Sequence, residues 1–538
     1  MLINKVDIHR PLIVFLALCE DINTPIGLSC YILASNNEFD QLLQKKCDPL
    51  HYCDSQSFGK DNLVCSFLSK NPGFLSETID DDTLAEFHRC EKACSDTNQN
   101  FRDEVIPHAT QCLLDIARGK ISSILGSIPT DLTFGFGPGV SLGVTGVDTG
   151  AYSKYSSAQP TVTSHAKSFA AIYLRNSLWG DYLLRGKFSS IEESLLVSDA
   201  AKIAFVPKKF NLKRSIAVEP LLNTYFQKGI GNYLKGRLHR KVGIDLKDQT
   251  VNQNFARDAE LYQVATVDFK SASSLISHGL VLSLIPIDWF LLLNVFRTHW
   301  YRLEKRSLAT QFHMFSSMGN GYTFELESLL FYALAFASVS VGSQEFHNIS
   351  VYGDDVILPR SDFETFNRLI TDVGLEINKS KSFTDGNFFE SCGCDFFKGR
   401  NVRAVYLKRN LQENFDIYNI HNLLLGWSSR FERCPLTRTL KSLRDFIHDR
   451  DKLYTTGNVG GFKISFEKLK SLGKRYYRSS NDGWEGHFVR ILVFSPYQRK
   501  NENYEPAILS SLTYPSKGLR SLRDVGHYKR KWIFLRSN

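Results

Sequence analysis

An α+β fold is what this 538-residue sequence predicts, and three stretches predict it. In FHNISVYGDDVILP, residues 346–359, the strand formers Val351 and Val356 to Leu358 flank Gly353-Asp354, where the two-residue turn of a hairpin falls. The apolar run Val264 to Val267 reads as a further strand, closed by Asp268. In FSSMGNGYTFELESLLFYALA, residues 315–335, a helix entered through Gly319-Asn320-Gly321 carries Leu326, Leu330 and Ala333/Leu334 on one face.

Composition sets the frame. Hydrophobic residues make up 43% and charged residues 22%, ordinary for a globular chain with a large core, which excludes a disordered tail, a collagen-like repeat or a disulfide miniprotein. At roughly 150 residues per domain the length allows three or four units, or one enzyme with insertions. The 39 Phe and 22 Tyr beside 3 Met supply rings that fill cores or stack on bases. A net charge of +9 suits a polyanionic partner.

Along the chain, Lys5, His9 and Arg10 precede the apolar run Leu12 to Cys19. No small residues mark a cleavage site, so the run reads as a buried element rather than a secretion signal. The 11 cysteines crowd toward the N-terminus, and neither Cys90/Cys94 nor Cys392/Cys394 has a matched second pair with His. Reduced thiols are expected, and no structural zinc. The glycine-rich FGFGPGVSLGVTGVDTG, residues 134–150, is a loop. Pro138 interrupts its superficial dinucleotide pattern, which leaves a close backbone approach or a plain connector. The run Leu284 to Phe296 is broken by Pro286 and Asp288 and is too short to span a bilayer, so no membrane partner is expected.

Charge concentrates between Lys202 and Lys241. Ten basic residues, Lys208, Lys209, Lys213 and Arg214 among them, face one acid, Glu219. That excess equals the net charge of the whole chain. A solvated face mixes signs, so the run suits phosphate or triphosphate, with an ordinary basic surface as the other reading. A second zone, Lys517, Arg520, Arg523, Lys529, Arg530, Lys531 and Arg536, interleaves Tyr528, Trp532 and Phe534. Rings among cations suit single-stranded nucleic acid, and a solubilising tail is the alternative.

Adjacent carboxylates at a tight turn repel each other, and a divalent cation is the obvious compensation for Asp354 and Asp355. Asp268 offers a third acid beside the small residues Ser271, Ala272, Ser273 and Ser274, which leave room for a ligand; a plain helix cap is the other reading. Glycines entering a helix beside Asn320 and Thr323 suit a sugar-phosphate.

The order basic segment, Asp268, glycine-entered helix, Tyr352-Gly353-Asp354-Asp355 resembles the template-dependent polymerase palm with its motifs F, A, B and C. The wording is most similar to the replicase β subunit of the small RNA bacteriophages, the leviviruses. It rests on VPKKFNLKRSIAVEPLLNTYFQKGIG, GIDLKDQTVNQ, ATVDFKSAS, FSSMGNGYTFELES and YGDDVILP, with NKSKSF and FFESCGCDFF as motifs D and E. The resemblance is strong over about residues 134–410. It implies a right hand: N-terminal region and fingers over 1–253, with the basic motif F segment at 202–241, a palm of antiparallel sheet over 254–387, and motif E, thumb and basic C-terminal region over 388–538. It implies RNA-directed RNA synthesis on a phage genome, with primer-independent initiation. Asp268, Asp354 and Asp355 would bind two Mg²⁺, or Mn²⁺ in their place. Lys208, Lys209, Lys213 and Arg214 would cradle the triphosphate, with Glu219 orienting them, and Lys379 or Lys381 would give pyrophosphate a proton. Gly319, Asn320 and Thr323 would support template and sugar. The implied partners are RNA template and product, ribonucleoside triphosphates, host elongation factors Tu and Ts, and an OB-fold ribosomal protein, in the cytoplasm of the infected bacterium.

Two other classes compete. A reverse transcriptase places a bulky aromatic where Ser271 to Ser274 are small and rarely has glycine at the position of Gly353. A noncatalytic RNA-binding scaffold leaves Asp268, Asp354 and Asp355 unexplained. RNA polymerase is the better reading. One position departs from the family pattern: Ser274 stands where motif A usually carries a second acid that senses the ribose 2′-hydroxyl. Serine still hydrogen-bonds a hydroxyl without charge, which shifts sugar discrimination toward Asn320. Ser274→Asp is therefore expected to retain ribonucleotide incorporation, and loss of all synthesis by a normally folded variant refutes this.

Overall fold

The computed structural model describes residues 8–146, 149–185, 188–304, 307–479, 486–498, 503–513 and 521–536. Its centre is a three-stranded antiparallel sheet. Strand Asp355–Pro359 lies in the middle, with Val264–Asp268 on one side and Ser350–Tyr352 on the other. Alternating burial does not apply here, because Val264, Ala265, Val267, Val356, Ile357 and Leu358 are all buried. A sheet covered on both faces reads as a continuous apolar run, which is how these strands read in the sequence. In the observed register Val267 pairs with Val356, and one step further Asp268 pairs with Asp355. Residues 377–383 add a further edge, with Thr266 and Phe383 exchanging backbone hydrogen bonds of 2.9 and 2.8 Å.

Helix Thr323–Val341 packs against this sheet. The sequence points to one apolar face, but the helix is buried nearly all round, from Leu326 to Val339. It is long and apolar enough to cross a membrane, yet 78% of its apolar window lies inside the protein, as befits a core helix. Phe331 stacks on Phe269 with ring centroids 4.2 Å apart and 5° between planes. Residues from helices His108–Leu125 and Leu221–Val242 complete the same core.

The basic segment divides into two elements. Strands Ala200–Lys209 and Leu212–Val218 form a hairpin, widened by Trp300–Arg302 and Thr310–Gln311, and helix Leu221–Val242 follows. In the glycine-rich loop, Gly137 and Gly139 have open space where a Cβ would stand. Crowding therefore does not require glycine at those two positions. The loop does approach helix Leu221–Val242 closely through its first residue: at Gly229 a Cβ would stand 2.4 Å from the Phe134 ring.

The apolar N-terminal run forms the buried helix His9–Ile22, and Pro286 caps helix Ile287–Phe296. The first helices do not join the central core. Val14, Phe15, Leu18, Phe58 and Phe67 share a second core with Phe388, Phe397, Tyr418, Trp427 and Leu440. The described residues up to 253 thus contribute to three cores, the third formed by Phe87, Cys94, Ala201, Ile203 and Ala217 with Tyr301, Phe312 and Met314. The C-terminal region also divides: a long hairpin, Gly486–Gln498 with Ser521–Arg536, extends from this side. Helix Tyr504–Thr513 between its strands packs on residues 151–184. Of the second positive zone, Lys517 and Arg520 lie outside the described residues. Within it, Tyr528 stacks on Phe415 at 4.7 Å and Arg478 lies 4.2 Å over Trp532.

Asn252 locks the central hairpin from outside. Its amide donates to the Asp355 carbonyl at 3.1 Å and its carbonyl accepts from the Ser350 hydroxyl at 2.6 Å. Asn252→Ala leaves both partners unpaired in a site 2% exposed. The expected loss is about 1–3 kcal/mol in urea unfolding.

Candidate active site

The pairing of Asp268 with Asp355 places two carboxyl-bearing residues directly opposite across an antiparallel ladder, with Cα atoms about 4.5–5.5 Å apart. Asp354 sits in the turn between them and Tyr352. That turn requires glycine at 353: φ is +61°, and a Cβ would lie 2.5 Å from the Phe324 ring. The Gly353 amide donates to the Ser328 hydroxyl at 3.0 Å, so the core helix holds the turn directly.

Each acid has different company. Asp268 accepts from the Asn378 amide at 2.7 Å, with the Lys381 ammonium 3.7 Å away. Asp355 accepts from the Ser391 hydroxyl at 3.1 Å and the Cys392 amide at 2.9 Å. Asp354 has no hydrogen bond or ion pair to a described residue. Burial, partly offset by Lys381, and then the charge of Asp354 raise the Asp268 carboxyl above its usual value. Burial and the two neighbouring acids push Asp355 up to about 6.

The structure adds an acid to which the sequence assigned no role. Glu327, on the core helix, is 6% exposed and hydrogen-bonds no described residue. Its carboxyl oxygen stands 3.4 Å from where a Cβ on Gly353 would lie. Burial first, and the charge of Asp354 second, raise it well above the carboxylate range. Nothing in the sequence separates it from Glu325, which pairs with Lys228 at 3.1 Å.

The cations sort themselves. Lys208 reaches solvent, yet desolvation by the surrounding protein and then Arg214 lower its ammonium, while Asp354 and Asp268 pull the other way. Lys209 is lowered by desolvation and then by Lys381. Arg214 pairs with Val206 across the hairpin. Lys213 is tied elsewhere, to Asp80, with its amide bound to the Thr83 hydroxyl. Glu219 does not orient the lysines: it is buried and accepts from Thr298 and from Gln227. Lys379 is exposed, whereas Lys381 joins Asp268 to Glu390 at 3.3 Å, and Glu390 continues to Arg403 at 3.4 Å. Burial lowers the Lys381 ammonium, but Glu390 and Asp268 outweigh it and hold the net value above the ordinary one.

The helix entry joins the basic hairpin to the turn. At Gly319, φ is +109° and a Cβ would collide with the Ala217 carbonyl at 2.1 Å. Thr323 donates to Ser317, and Asn320 accepts from the Tyr322 amide at 3.0 Å. The buried Asn320 side-chain nitrogen has no hydrogen-bond partner among the described residues. Ser274 is 8% exposed, and its carbonyl accepts from the Cys94 thiol at 3.4 Å.

By chemistry this donor set fits a hard divalent cation: oxygen ligands only, one of them unpartnered, and neighbouring carboxyls that resist joint ionisation. Among the described residues no three such side chains already converge as a finished metal cage. Asp355 and Asp268 are turned instead toward Ser391, Cys392 and Asn378.

The family model and the sequence relatives agree on one family. A family model described as RNA replicase, beta-chain matches residues 37–477. The RNA-directed RNA polymerase beta chain of Enterobacteria phage fr is 29% identical over 77% of this chain and 75% of its own length. The corresponding subunit of Enterobacteria phage SP is 32% identical over 80% and 73%, and that of Escherichia virus Qbeta 32% identical over 68% and 62%. Among solved structures, an insertion-loop deletion mutant of a human picorbirnavirus RNA-dependent RNA polymerase overlaps 67% of this chain and 85% of its own. It does so at 13% identity and a TM-score of 0.35.

Raised carboxyls make a signed prediction. Their contribution to stability is fully present below the unfolded carboxylate range and is lost as pH rises through the folded values, near 6 for Asp355. In chelator the chain is expected to lose thermal stability between about pH 4 and 7. Asp354→Asn removes a charge that raises Asp268, Asp355 and Glu327, so it should flatten that slope and raise Tm at pH 7 by about 1–3 °C. Identical slopes for both proteins count against the repulsion.

Proposed function

The chain belongs to the RNA replicase beta-chain family and is an RNA-directed RNA polymerase; on that premise we propose that Asp268, Asp354 and Asp355 carry nucleotidyl transfer at the hairpin turn. The observation that carries this is the register that sets Asp268 against Asp355 beside the unpartnered Asp354.

Asp268 and Asp354 would hold two Mg²⁺, with Mn²⁺ as a substitute, and Asp355 would steady the pair through its bonds to Ser391 and Cys392. Bound there, the ions would supply Lewis acidity toward the 3′-hydroxyl of the growing RNA and neutralise charge on the departing pyrophosphate. The rest falls to side chains. Lys208, Lys209 and Arg214 draw the triphosphate toward the acids, an electrostatic and positioning task of the kind that dominates phosphoryl transfer. Lys381 carries the proton for pyrophosphate. Asp268 and Glu390 hold that proton tightly, and neutralising Asp268 loosens the hold. Asn320 offers its unused donor to the ribose, and Ser274, in the short helix Ala272–Leu275 of motif A, offers a second hydrogen-bonding group. Gly319 and Thr323 fix the loop that presents Asn320.

In this reading the central sheet and its helices, residues 254–387, are the palm of a right hand. The basic hairpin at 202–218 forms the fingertips within 1–253, and 388–538 supplies motif E, the thumb and a basic ribbon beside the RNA. The substrates are template RNA and ribonucleoside triphosphates. Primer-independent initiation, help from elongation factors Tu and Ts and an OB-fold ribosomal protein, and work in the bacterial cytoplasm complete the proposal.

The test is Mg²⁺-dependent ribonucleotide incorporation by the purified chain on an RNA template, with and without bacterial lysate. Asp354→Asn should keep RNA affinity and lose at least about 10²–10³-fold in rate. Lys381→Met should slow single-turnover synthesis about 10²-fold, with Lys379→Met near the native rate. Undiminished synthesis by Asp354→Asn would overturn the assignment.

A further inference from the structure

Far from the acids, three thiols meet in the second core. Cys30 lies in helix Pro25–Ser35, Cys65 in helix Ser55–Phe67, and Cys47 in the loop after helix Phe39–Gln44. The Cys47 and Cys65 sulfurs are 3.6 Å apart, and the Cys65 side chain also hydrogen-bonds that of Cys30. Cys30 and Cys65 are buried, at 0% and 8% exposure, while Cys47 is half-buried and gives the group its access to solvent. Beside them Asp61 accepts from the Thr24 hydroxyl at 2.6 Å and the Tyr52 hydroxyl at 2.9 Å. The three do not form a ligand set for a cation.

Most buried cysteines are inert, because burial raises the thiol. Cys19 and Cys94 follow that rule. Cys47 and Cys30 depart from it: hydrogen bonding with Cys65 outweighs burial and lowers both thiols, while the Cys65 thiol is raised, and of the two lowered sulfurs Cys47 is the one that reaches solvent. A polarised, solvent-reached sulfur therefore stands in contact with a buried thiol, the arrangement of an oxidisable cysteine with a resolving partner.

We infer that Cys47 and Cys65 form a modification site for peroxides, in which Cys47 is oxidised and Cys65 closes the product as a disulfide. The Cys47 thiolate attacks the peroxide O–O bond, forming S–O and releasing alkoxide or hydroxide, which takes up a proton. The Cys65 sulfur then attacks the sulfenic sulfur: S–S forms, S–O breaks, and the hydroxide leaves as water with the Cys65 proton. Two thiols and one peroxide give one disulfide, one alcohol or water, and one further water. Cys30, bonded to Cys65, is the neighbour to which the bridge can be exchanged. The helix that bears Cys65 also bears Phe58, whose ring meets Phe388 and Phe397 at 5.2 and 5.5 Å, in the hairpin whose Ser391 and Cys392 hold Asp355.

The full chain, reduced and freed of metal, is treated with one equivalent of hydrogen peroxide, alkylated and mapped without reduction. A Cys47–Cys65 peptide should form about 10-fold or more faster than oxidation of the exposed Cys53 and Cys112. Cys65→Ser should let dimedone label Cys47, and Cys30→Ser should leave the 47–65 link intact. Oxidation of Cys53 or Cys112 ahead of Cys47 in the native chain overturns the proposal. So does stoichiometric zinc on the thiols of protein purified without chelator. Mapping the native chain decides the matter even where a variant fails to fold.

Discussion

One antiparallel register governs this molecule. Two strands that are apolar along their length align Val267 with Val356, and the next rung must then bring Asp268 against Asp355. Hydrophobic burial sets the alignment, and like charge resists its last step. Both faces of the sheet are covered, so a slip of one residue would relieve the repulsion only by undoing the packing of every apolar side chain against its neighbours. The core thus forces the acids together. Around them the chain assembles neutral donors, Asn378, Ser391 and the Cys392 amide, which relieve part of the repulsion without cancelling the charge. Strain of this kind is what a site for cationic chemistry retains at the expense of stability.

The positive segment follows the same logic with opposite sign. Its charge, uniform in the sequence, is divided by the fold. Lys213 and Lys228 are neutralised by Asp80 and Glu325, and Arg237 donates to the Ile124 carbonyl. Lys208 and Lys209 keep their charge uncommitted, in surroundings that disfavour it. Cations held this way gain most from a polyanion, because their field is least screened by water.

Much of this was legible in the sequence, for identifiable reasons. The hairpin, the strand ending at Asp268 and the glycine-entered helix each announce themselves within twenty residues by period and turn chemistry. Glu327, Asn252 and the Ser391-Cys392 support do not, because their partners lie 36 to 103 positions away or, for Glu327, because a missing partner leaves no mark on local composition. Glu219 misled because its charge was visible and its burial was not. Lys379 and Lys381 were equivalent on paper, and only the fold shows which one faces the acids. The one-sided reading of helix Thr323–Val341 failed because helices cover it on the side away from the sheet.

The second core joins the first helices to residues from 388 to 462. During translation, therefore, Val14, Phe15 and Leu18 leave the ribosome long before Trp427 or Leu440 exists to cover them. At elongation speeds of about 5–20 residues per second, that interval is roughly 20–80 seconds. For its duration the nascent chain shows a greasy helical surface that invites chaperone capture or misassociation. Closure of this core therefore waits for a segment made long after the helices it covers.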